Sequence, residues 1–288
     1  MTQLRRNHVR HGKGWQTSFR MIMALFIIGA VMIGAVVYFK NIIVKDPVDS
    51  LKNHADELRT FLPNSTGQIK HLTYFSLSWS EIHKKPEWVA YILTQNMTEP
   101  KNVPTEYPFT PEYVMSEHSV SLDDYAESGY LCGQLVPAGD MTFDTLGLKE
   151  TFHMENISPQ VKAFSDGIWK ELEGQIREWV KEAETLYVIT GPVFADSSIK
   201  IGRQNQITVP AAFFKVVLQY SQHEKKGIGF IIPNKQSEGS PAHYIITIDS
   251  VETVTGFDFF NDMINDEEEE RIESGVDSSC WRFMGRRS

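Results

Sequence analysis

The segment that decides the fold of this chain is Ser128-Gly129-Tyr130-Leu131-Cys132-Gly133-Gln134-Leu135-Val136-Pro137-Ala138-Gly139-Asp140. A loop-like stretch with four prolines, residues 97–127, leads into it, and we interpret the first half of the segment as a strand. Its framework consists of glycines, an aromatic residue and a Pro-Ala pair. The side chains between Tyr130 and Pro137 are aliphatic groups, a thiol and an amide. None of these is an effective acid or base near pH 7.

The framework resembles the Gly-Tyr-Asp-Arg-Gly-His-Leu-x-Pro-Ala-x-Asp signature of the DNA/RNA non-specific endonucleases, the ββα-metal or His-Me finger nucleases. The positions that match this signature are Gly129, Tyr130, Gly133, Leu135, Pro137, Ala138 and Asp140. Where the signature has its Asp-Arg pair and its histidine, this chain has Leu131, Cys132 and Gln134. The segment therefore indicates descent from this family of nucleases. At the same time, the exchanged side chains argue against nuclease activity in this chain.

The resemblance continues in order along residues 67–274. Further matches are Tyr74 to Ser78, Glu87 to Tyr91, Thr151-Phe152, Asn156 to Gln160, Trp169-x-x-Leu172-Glu173, Arg177, Thr190-Gly191-Pro192, Val209-Pro210, Phe213-Phe214-Lys215, Ile232-Pro233-Asn234 and Glu252-x-x-Thr255-Gly256-x-x-Phe259-Phe260. The resemblance implies an α+β fold of the ββα-metal nuclease kind over residues 67–265. In that fold a mixed, mainly antiparallel sheet is flanked by helices.

Residue patterns predict the elements of this domain. Aromatic and β-branched runs predict strands at 71–79, 88–95, 152–156, 187–194, 213–220, 228–232 and 244–248. Residues 165–186 form the longest predicted soluble helix, because Ile168, Leu172, Ile176 and Val180 lie on one stripe.

The resemblance also assigns roles to particular positions. In the family a histidine accepts a proton from the attacking water, and one divalent ion bridges the phosphate and stabilises the leaving oxygen. Gln134 occupies the position of that base, and a neutral amide cannot supply general-base help worth about 10² to 10⁴ in rate. Cys132 occupies the position of a phosphate-facing arginine, and Ser165 that of the metal-binding asparagine. A lone hydroxyl is a poor anchor for Mg²⁺, and the structural interpretation of Ser165 is a helix N-cap. We therefore expect no cofactor, or Mg²⁺ if activity is retained.

Two pairs of polar residues leave alternatives open. Glu173 and Arg177 persist at the spacing that the family uses for a carboxylate near the metal and a phosphate-facing arginine. One helical turn apart, they are equally suited to an ordinary ion pair worth a few tenths of a kcal/mol. His153 and Glu155, at alternate positions of the predicted strand 152–156, would share one face and could form a rebuilt metal or base site.

Cys132 and Cys280 are the two cysteines of the chain. In an oxidising compartment they could form a disulfide, and the alternative is two free or buried thiols. At position 132 the simplest interpretation is a small buried apolar residue rather than a nucleophile.

The N-terminal region predicts a membrane anchor. Residues 1–20 contain five Lys and Arg and no acid, and 21–39 run for 19 residues without a charge. Such a run spans roughly 28 Å as a helix, close to the ~30 Å hydrocarbon core of a bilayer. The positive leader predicts a cytoplasmic N-terminus and a single transmembrane helix, with the domain on the periplasmic face of a bacterial inner membrane; the mitochondrial inner membrane is the alternative.

Residues on either side of the domain predict two appendages. Val48, Leu51, Ala55, Leu58 and Leu62 form an apolar seam on a stalk helix within residues 40–66. The seam either packs on the domain or pairs with a second copy of the chain, so a homodimer through anchor or stalk is one expectation. Residues 266–288 predict an acidic, frayed tail.

The charge distribution disfavours nucleic acid as a partner. After Lys40, 22 of the 28 Lys and Arg remain against all 37 Asp and Glu, a net charge of −15, and no arginine lies between Leu62 and Ile176. Nucleic-acid affinity depends on basic groups that displace counterions from phosphates. We therefore expect an inactive, membrane-anchored nuclease-like domain that binds a protein partner at the membrane, with a weak, divergent Mg²⁺-dependent endonuclease as the alternative.

Overall fold

A computed structural model of the chain describes residues 21, 23, 25, 27–34, 47–99, 103–104, 107–110, 120–203 and 205–283. The chain divides into two compact units, residues 1–53 and 54–288. The described residues between 21 and 34 are helical. Within the described part of the chain, no helix is both long enough and apolar enough to cross a membrane. The rest of the predicted span at 21–39, and the leader 1–20, lie outside the described residues apart from those just named.

A seven-stranded antiparallel sheet forms the centre of the second unit. Its strands are β1 (Gln68–His71), β2 (Phe75–Ser80), β3 (Lys85–Thr94), β6 (Thr185–Val193), β9 (Ala212–Tyr220), β10 (Lys225–Pro233) and β11 (Ile245–Ile246), in that spatial order. Two short two-stranded sheets accompany it, β4 (Leu131–Gln134) with β5 (Ile157–Gln160), and β7 (Lys200–Ile201) with β8 (Ile207–Thr208). The α+β class and the mainly antiparallel sheet are confirmed.

Both faces of the central sheet are covered by apolar side chains. Alternate residues of β3 divide between them: Val89, Tyr91 and Leu93 belong to one buried cluster, and Trp88, Ala90 and Ile92 to the other. Because successive side chains of a strand point to opposite faces, a strand covered on both sides is apolar nearly throughout. The first cluster includes Leu135 and Val136 of the motif, so the motif lies on this face.

The helices follow the local signals in part. They are α1 (Pro47–Arg59), α2 (Thr145–Glu150), α3 (Lys162–Phe164), α4 (Lys170–Ala183), α5 (Ile248–Thr255) and α6 (Asp266–Glu273). Between α3 and α4 the chain forms a π-helical segment, Ser165–Trp169, with non-helical dihedral angles at Gly167. The predicted long helix therefore becomes regular only at Lys170, and it ends before Glu184, whose φ is 64°.

Several predicted elements were wrong in detail. Residues 152–156 are not a strand: Met154–Asn156 form a 3₁₀ helix, and the strand begins one residue later at Ile157. The predicted strand 71–79 covers the last residue of β1, a break at 72–74 and most of β2. The last predicted strand, 244–248, is reduced to β11 because Thr247 caps α5 by accepting a hydrogen bond from Ser250 N.

The structure favours one of the two alternatives for the stalk and contradicts the prediction for the tail. Leu58 and Phe61, at the end of the predicted stalk, are buried in the second cluster, so this part of the seam packs on the domain. The acidic tail is not frayed over its described residues. It begins with α6, whose Ile272 is buried, and continues to Trp281, whose ring lies edge-on to Trp179 with the centroids 4.7 Å apart. Apolar residues interspersed among the acids anchor it.

Candidate functional site

Strand β4 holds the centre of the motif against β5. Gly133 pairs with Ser158 and Gln134 with Ile157. A Cβ atom at position 133 would overlap the buried side chain of Gln160, so only glycine lets the two strands approach here. Beyond the strand, Asn156 continues the pairing with its side chain, which accepts from Val136 N and donates to Val136 O, each at 2.9 Å. The motif is therefore held rigidly on the face of the sheet.

Gln134, at the position of the family's base, is tied to its own surroundings at both ends of the amide. Its Nε2 donates to Thr151 O at 3.0 Å and to Thr151 Oγ1 at 3.2 Å, and its Oε1 accepts from Ala138 N at 3.0 Å. The side chain links the end of β4, the start of the next turn and the end of α2. Gln134 therefore has a structural role. A side chain that acted as a catalytic base at this position could not keep the same hydrogen bonds.

Cys132 is a half-buried, uncharged thiol. Burial raises its pKa to about 11. A thiol with such a pKa is neither a nucleophile nor a counter-charge for a phosphate at neutral pH. Both Cys132 and Cys280 are free in the structure, so the possible disulfide does not form.

Lys85 is a buried cation beside Cys132 that the sequence analysis did not single out. Its Nζ donates to Ile157 O at 2.9 Å and to the hydroxyl of Tyr125. Complete burial lowers the pKa of this lysine to about 7. The only sequence signal was a lysine at the start of an apolar strand. This signal was easy to overlook because the residue belongs to a pair of lysines next to a polar turn.

Arg177 is paired with the last residue of the motif rather than with Glu173. Its Nη1 lies 2.7 Å from Asp140 Oδ1, and Tyr91 donates its hydroxyl proton to Asp140 Oδ2 at 2.9 Å. Asp140 is 1% exposed, so its carboxylate is held between two partners inside the core. In the structure the guanidinium is therefore paired with Asp140 across the fold, and no ion pair to Glu173 within 4 Å is present among the described residues.

The carboxyl group of Glu173 lies close to basic side chains. It nevertheless loses its proton at a higher pH than an ordinary glutamate. Burial raises its pKa to about 7, although the charges of Lys215 and Arg177 oppose the shift. Lys215 on β9 is fully buried, and its Nζ stands 4.6 Å from the centre of the Trp169 ring without a hydrogen-bond partner among the described residues. A charged residue inside the apolar run 213–218 was the signal that could have identified it.

Ser165 does not cap the helix as predicted. It has right-handed helical dihedral angles, follows α3, and donates its backbone N–H to Val161 O at 2.9 Å. Because it stands within a helical run rather than at its start, no free amides of a first turn face its hydroxyl.

His153 and Glu155 do not form the rebuilt site. They fall before and within a 3₁₀ helix rather than on alternate positions of a strand. Glu155 is 3% exposed, and Lys70 Nζ of strand β1 lies 3.5 Å from its Oε1. Its carboxylate charge is therefore compensated inside the protein.

The donors at the motif do not fit a divalent metal ion. Gln134 and Ser165 are neutral, Cys132 keeps its proton, and Glu173 has two cations for neighbours. A hard cation prefers several ionised or carbonyl oxygens. Such a set is not assembled here among the described residues.

The comparisons with known proteins agree with the fold. The family profile described as DNA/RNA non-specific endonuclease matches residues 55–265, and the chain belongs to this family. It is 26% identical over 206 residues to "Nuclease EXOG, mitochondrial" of Xenopus laevis, covering 66% of this chain and 58% of that protein. It is 32% identical over 153 residues to "Nuclease C1" of Cunninghamella echinulata var. echinulata, covering 49% of this chain and 61% of the relative. The chain thus spans about three fifths of each of these relatives.

A solved structure shows the same architecture. A chain of the EndoG/EndoGI complex, a structure whose title concerns the mechanism of EndoG inhibition, superimposes with a TM-score of 0.69 at 25% identity. The superposition covers 74% of this chain and 93% of that one. The matched family region begins at residue 55, close to the boundary of the second compact unit at His54 and ahead of the predicted domain start at Gly67.

Proposed function

We propose that this member of the DNA/RNA non-specific endonuclease family is a pseudonuclease, whose scaffold serves a structural or protein-binding role. The observation that carries the proposal is Gln134. It stands where the family has its base, cannot accept a proton near pH 7, and is hydrogen-bonded at both ends of its amide. Its oxygen already accepts one hydrogen bond from Ala138 N.

The pairing of Arg177 supports the same conclusion. Arg177 would have to leave a buried carboxylate in order to reach a phosphate, and an uncompensated buried charge costs about 3–5 kcal/mol. The family region also lies in a strongly acidic chain, which opposes the approach of a polyanion.

The direct test is a cleavage assay with the full chain. Supercoiled plasmid and single-stranded RNA are incubated with the protein over a range of Mg²⁺ and Mn²⁺ concentrations, with an active family member as positive control. We expect no cleavage above a protein-free blank. Cleavage that disappears in Glu173→Ala would overturn the proposal.

A restoration experiment locates the loss. The variant Cys132→Arg with Gln134→His and Ser165→Asn returns three family side chains to the scaffold. If the framework is intact and only the site has changed, this variant cleaves plasmid where its parent does not. A matched variant, Cys132→Arg with Gln134→Ala and Ser165→Asn, lacks the base and is expected to remain inactive.

A weak endonuclease is the second candidate, and one observation favours it. Glu173 has a pKa of about 7 beside Lys215 and Arg177, which is the range expected of a general base near neutrality. In this case Glu173→Gln would abolish a residual activity that Gln134→Ala leaves unchanged. Activity that both variants retain would be assigned to a contaminant.

The partner and the location are also proposals. The uncharged run 21–39 behind a basic leader supports a single-pass anchor with the domain on the periplasmic side, or in the intermembrane space if the membrane is mitochondrial. The net charge of −15 that follows Lys40, from 22 Lys and Arg against 37 Asp and Glu, suits a basic protein surface as partner. Carbonate-resistant membrane association, together with protease access to the domain only from the far side, is the expected result; release by carbonate would contradict the anchor.

A further inference from the structure

Three carboxylates meet on the face of the sheet opposite the motif. Asp249 and Glu252 project from α5 and Glu273 from α6, and one oxygen of each lies within 4.8 Å of the others. The two helices pack over β10, where Gly227 makes room for both. A Cβ at this position would lie 2.5 Å from Ile248 Cδ1 and 3.0 Å from Ile272 Cγ2. The cluster is therefore built on two helices that are fixed by core residues.

Glu273 is buried and lacks a protein partner. It is 3% exposed, and its Oε1 accepts no hydrogen bond in the part of the chain that the structure describes. Burial first, and then the negative charges of Glu252, Glu269, Asp249 and Asp258, together raise its pKa to about 9. Among the described residues, the charged groups with the largest effect on it are all acids. A buried carboxylate without a partner is costly, so this arrangement calls for a positive charge or a proton.

Glu252 uses one oxygen within the protein and, among the described residues, has no hydrogen bond to the other. Its Oε1 accepts the backbone N–H of Phe259 at 2.8 Å, which fixes the orientation of the side chain. Asp249 lies one turn earlier on the same helix, so the two carboxylates share one face of α5. The oxygen atoms are thus positioned before any ligand arrives.

We propose that Asp249, Glu252 and Glu273 bind a single Ca²⁺ ion that joins α5 to α6. All donors are carboxylate oxygens, the ligands of hard cations, and a nitrogen or sulfur that would select zinc is missing from the group. Ca²⁺ binds oxygen at roughly 2.3–2.6 Å, and oxygens on opposite sides of one ion lie about 5 Å apart, so the spacing of this group is compatible with a shared ion. Mg²⁺, at roughly 2.0–2.1 Å, demands near-ideal octahedral geometry and usually keeps several waters, so we propose the larger and more tolerant cation.

The test uses the full chain after removal of metal with EDTA. Isothermal titration with CaCl₂ at pH 8 is expected to show one site per chain, and saturating Ca²⁺ is expected to raise Tm. In Glu273→Gln the affinity should fall by roughly tenfold or more, because one of three charged ligands is lost. Asp249→Asn provides a second variant that acts from the other helix.

Glu270→Gln is the matched control, since Glu270 is an exposed acid on the same helix and outside the cluster. It should bind Ca²⁺ within about twofold of the parent chain, as expected for a surface charge. The proposal is overturned if the parent chain shows neither heat nor a Tm shift up to about 10 mM Ca²⁺, above the weakest extracellular calcium modules. Equal Ca²⁺ affinity in the parent and Glu273→Gln, or tighter binding of Mg²⁺ than of Ca²⁺, overturns it equally. The readouts do not involve nuclease activity, so failure here leaves the pseudonuclease proposal intact.

Discussion

The motif residues Gln134 and Asp140 on one face of the central sheet differ from Glu273 on the other face in how their polar groups are paired. On the motif face, Gln134 and Asp140 have their hydrogen-bonding groups engaged by partners inside the protein. On the opposite face, Glu273 is buried among acids with an oxygen that no described group engages. The comparison teaches that membership of the family does not predict which face of the sheet carries groups able to bind a ligand. In the inherited site Gln134 and Asp140 are hydrogen-bonded, although Lys215 near Asp140 has no such partner among the described residues, while the opposite face carries the acidic cluster for which we propose a bound Ca²⁺ ion.

The largest effect on stability should come from removing the paired carboxylate of Asp140 on the motif face. Asp140→Ala removes a buried carboxylate from between Tyr91 and Arg177 and leaves the guanidinium unpaired in a site that is only partly open to water. We expect a loss of about 3–5 kcal/mol in the free energy of unfolding. Urea denaturation measures it. Asp123→Ala, an exposed acid, serves as the control and should stay within about 0.5 kcal/mol.

A smaller loss is expected at Gln134. Gln134→Ala deletes three hydrogen bonds and leaves Ala138 N and Thr151 without their partner, at a cost of about 1–3 kcal/mol. Gln68→Ala, an exposed glutamine on β1, controls for the substitution itself. If Gln134→Ala leaves urea stability unchanged, the structural role assigned to the amide is wrong.

On the opposite face the prediction concerns pH. The folded pKa of Glu273 is raised to about 9 from 4.5, so the folded chain holds a proton that the unfolded chain releases. In EDTA, the free energy of unfolding should therefore fall as pH rises between about 4.5 and 9, by at most about 1.4 kcal/mol per pH unit from this group. The slope between pH 7 and 8 should be reduced in Glu273→Gln and also by saturating Ca²⁺. An unchanged slope in both would contradict the assignment.

Lys85 should give a pH effect of the opposite sign and over a narrower range. Its folded pKa of about 7 lies below the usual 10.5, so the unfolded chain binds more protons between these two values. The contribution of this group to stability therefore increases as pH rises from about 7 to 10.5. Comparing Lys85→Met with the parent chain over pH 7 to 9 in urea isolates it. In the variant this increase in stability with pH should be absent. If the variant keeps the increase, the increase does not arise from Lys85.

Much of the fold was readable from short-range patterns. The motif, the alternating apolar strands and the stripe on 165–186 led to the family and to most strands of the sheet. The predictions failed where the local structure depends on a residue that is distant in the sequence. Asn156 extends the pairing beyond β4 with its side chain, and it is the last residue of a 3₁₀ helix at a position where a strand was predicted. Trp281 finds its place against Trp179, about a hundred residues earlier in the chain, which no local pattern reveals.

The sequence by itself determined the family and the α+β class with a mainly antiparallel sheet. Both follow from residue identity and spacing. Only the tertiary structure decided that Arg177 pairs with Asp140, that Lys85 and Lys215 lie buried, and that Asp249, Glu252 and Glu273 converge. Such facts depend on the distance between atoms far apart in the chain, and charge interactions and desolvation act through that distance.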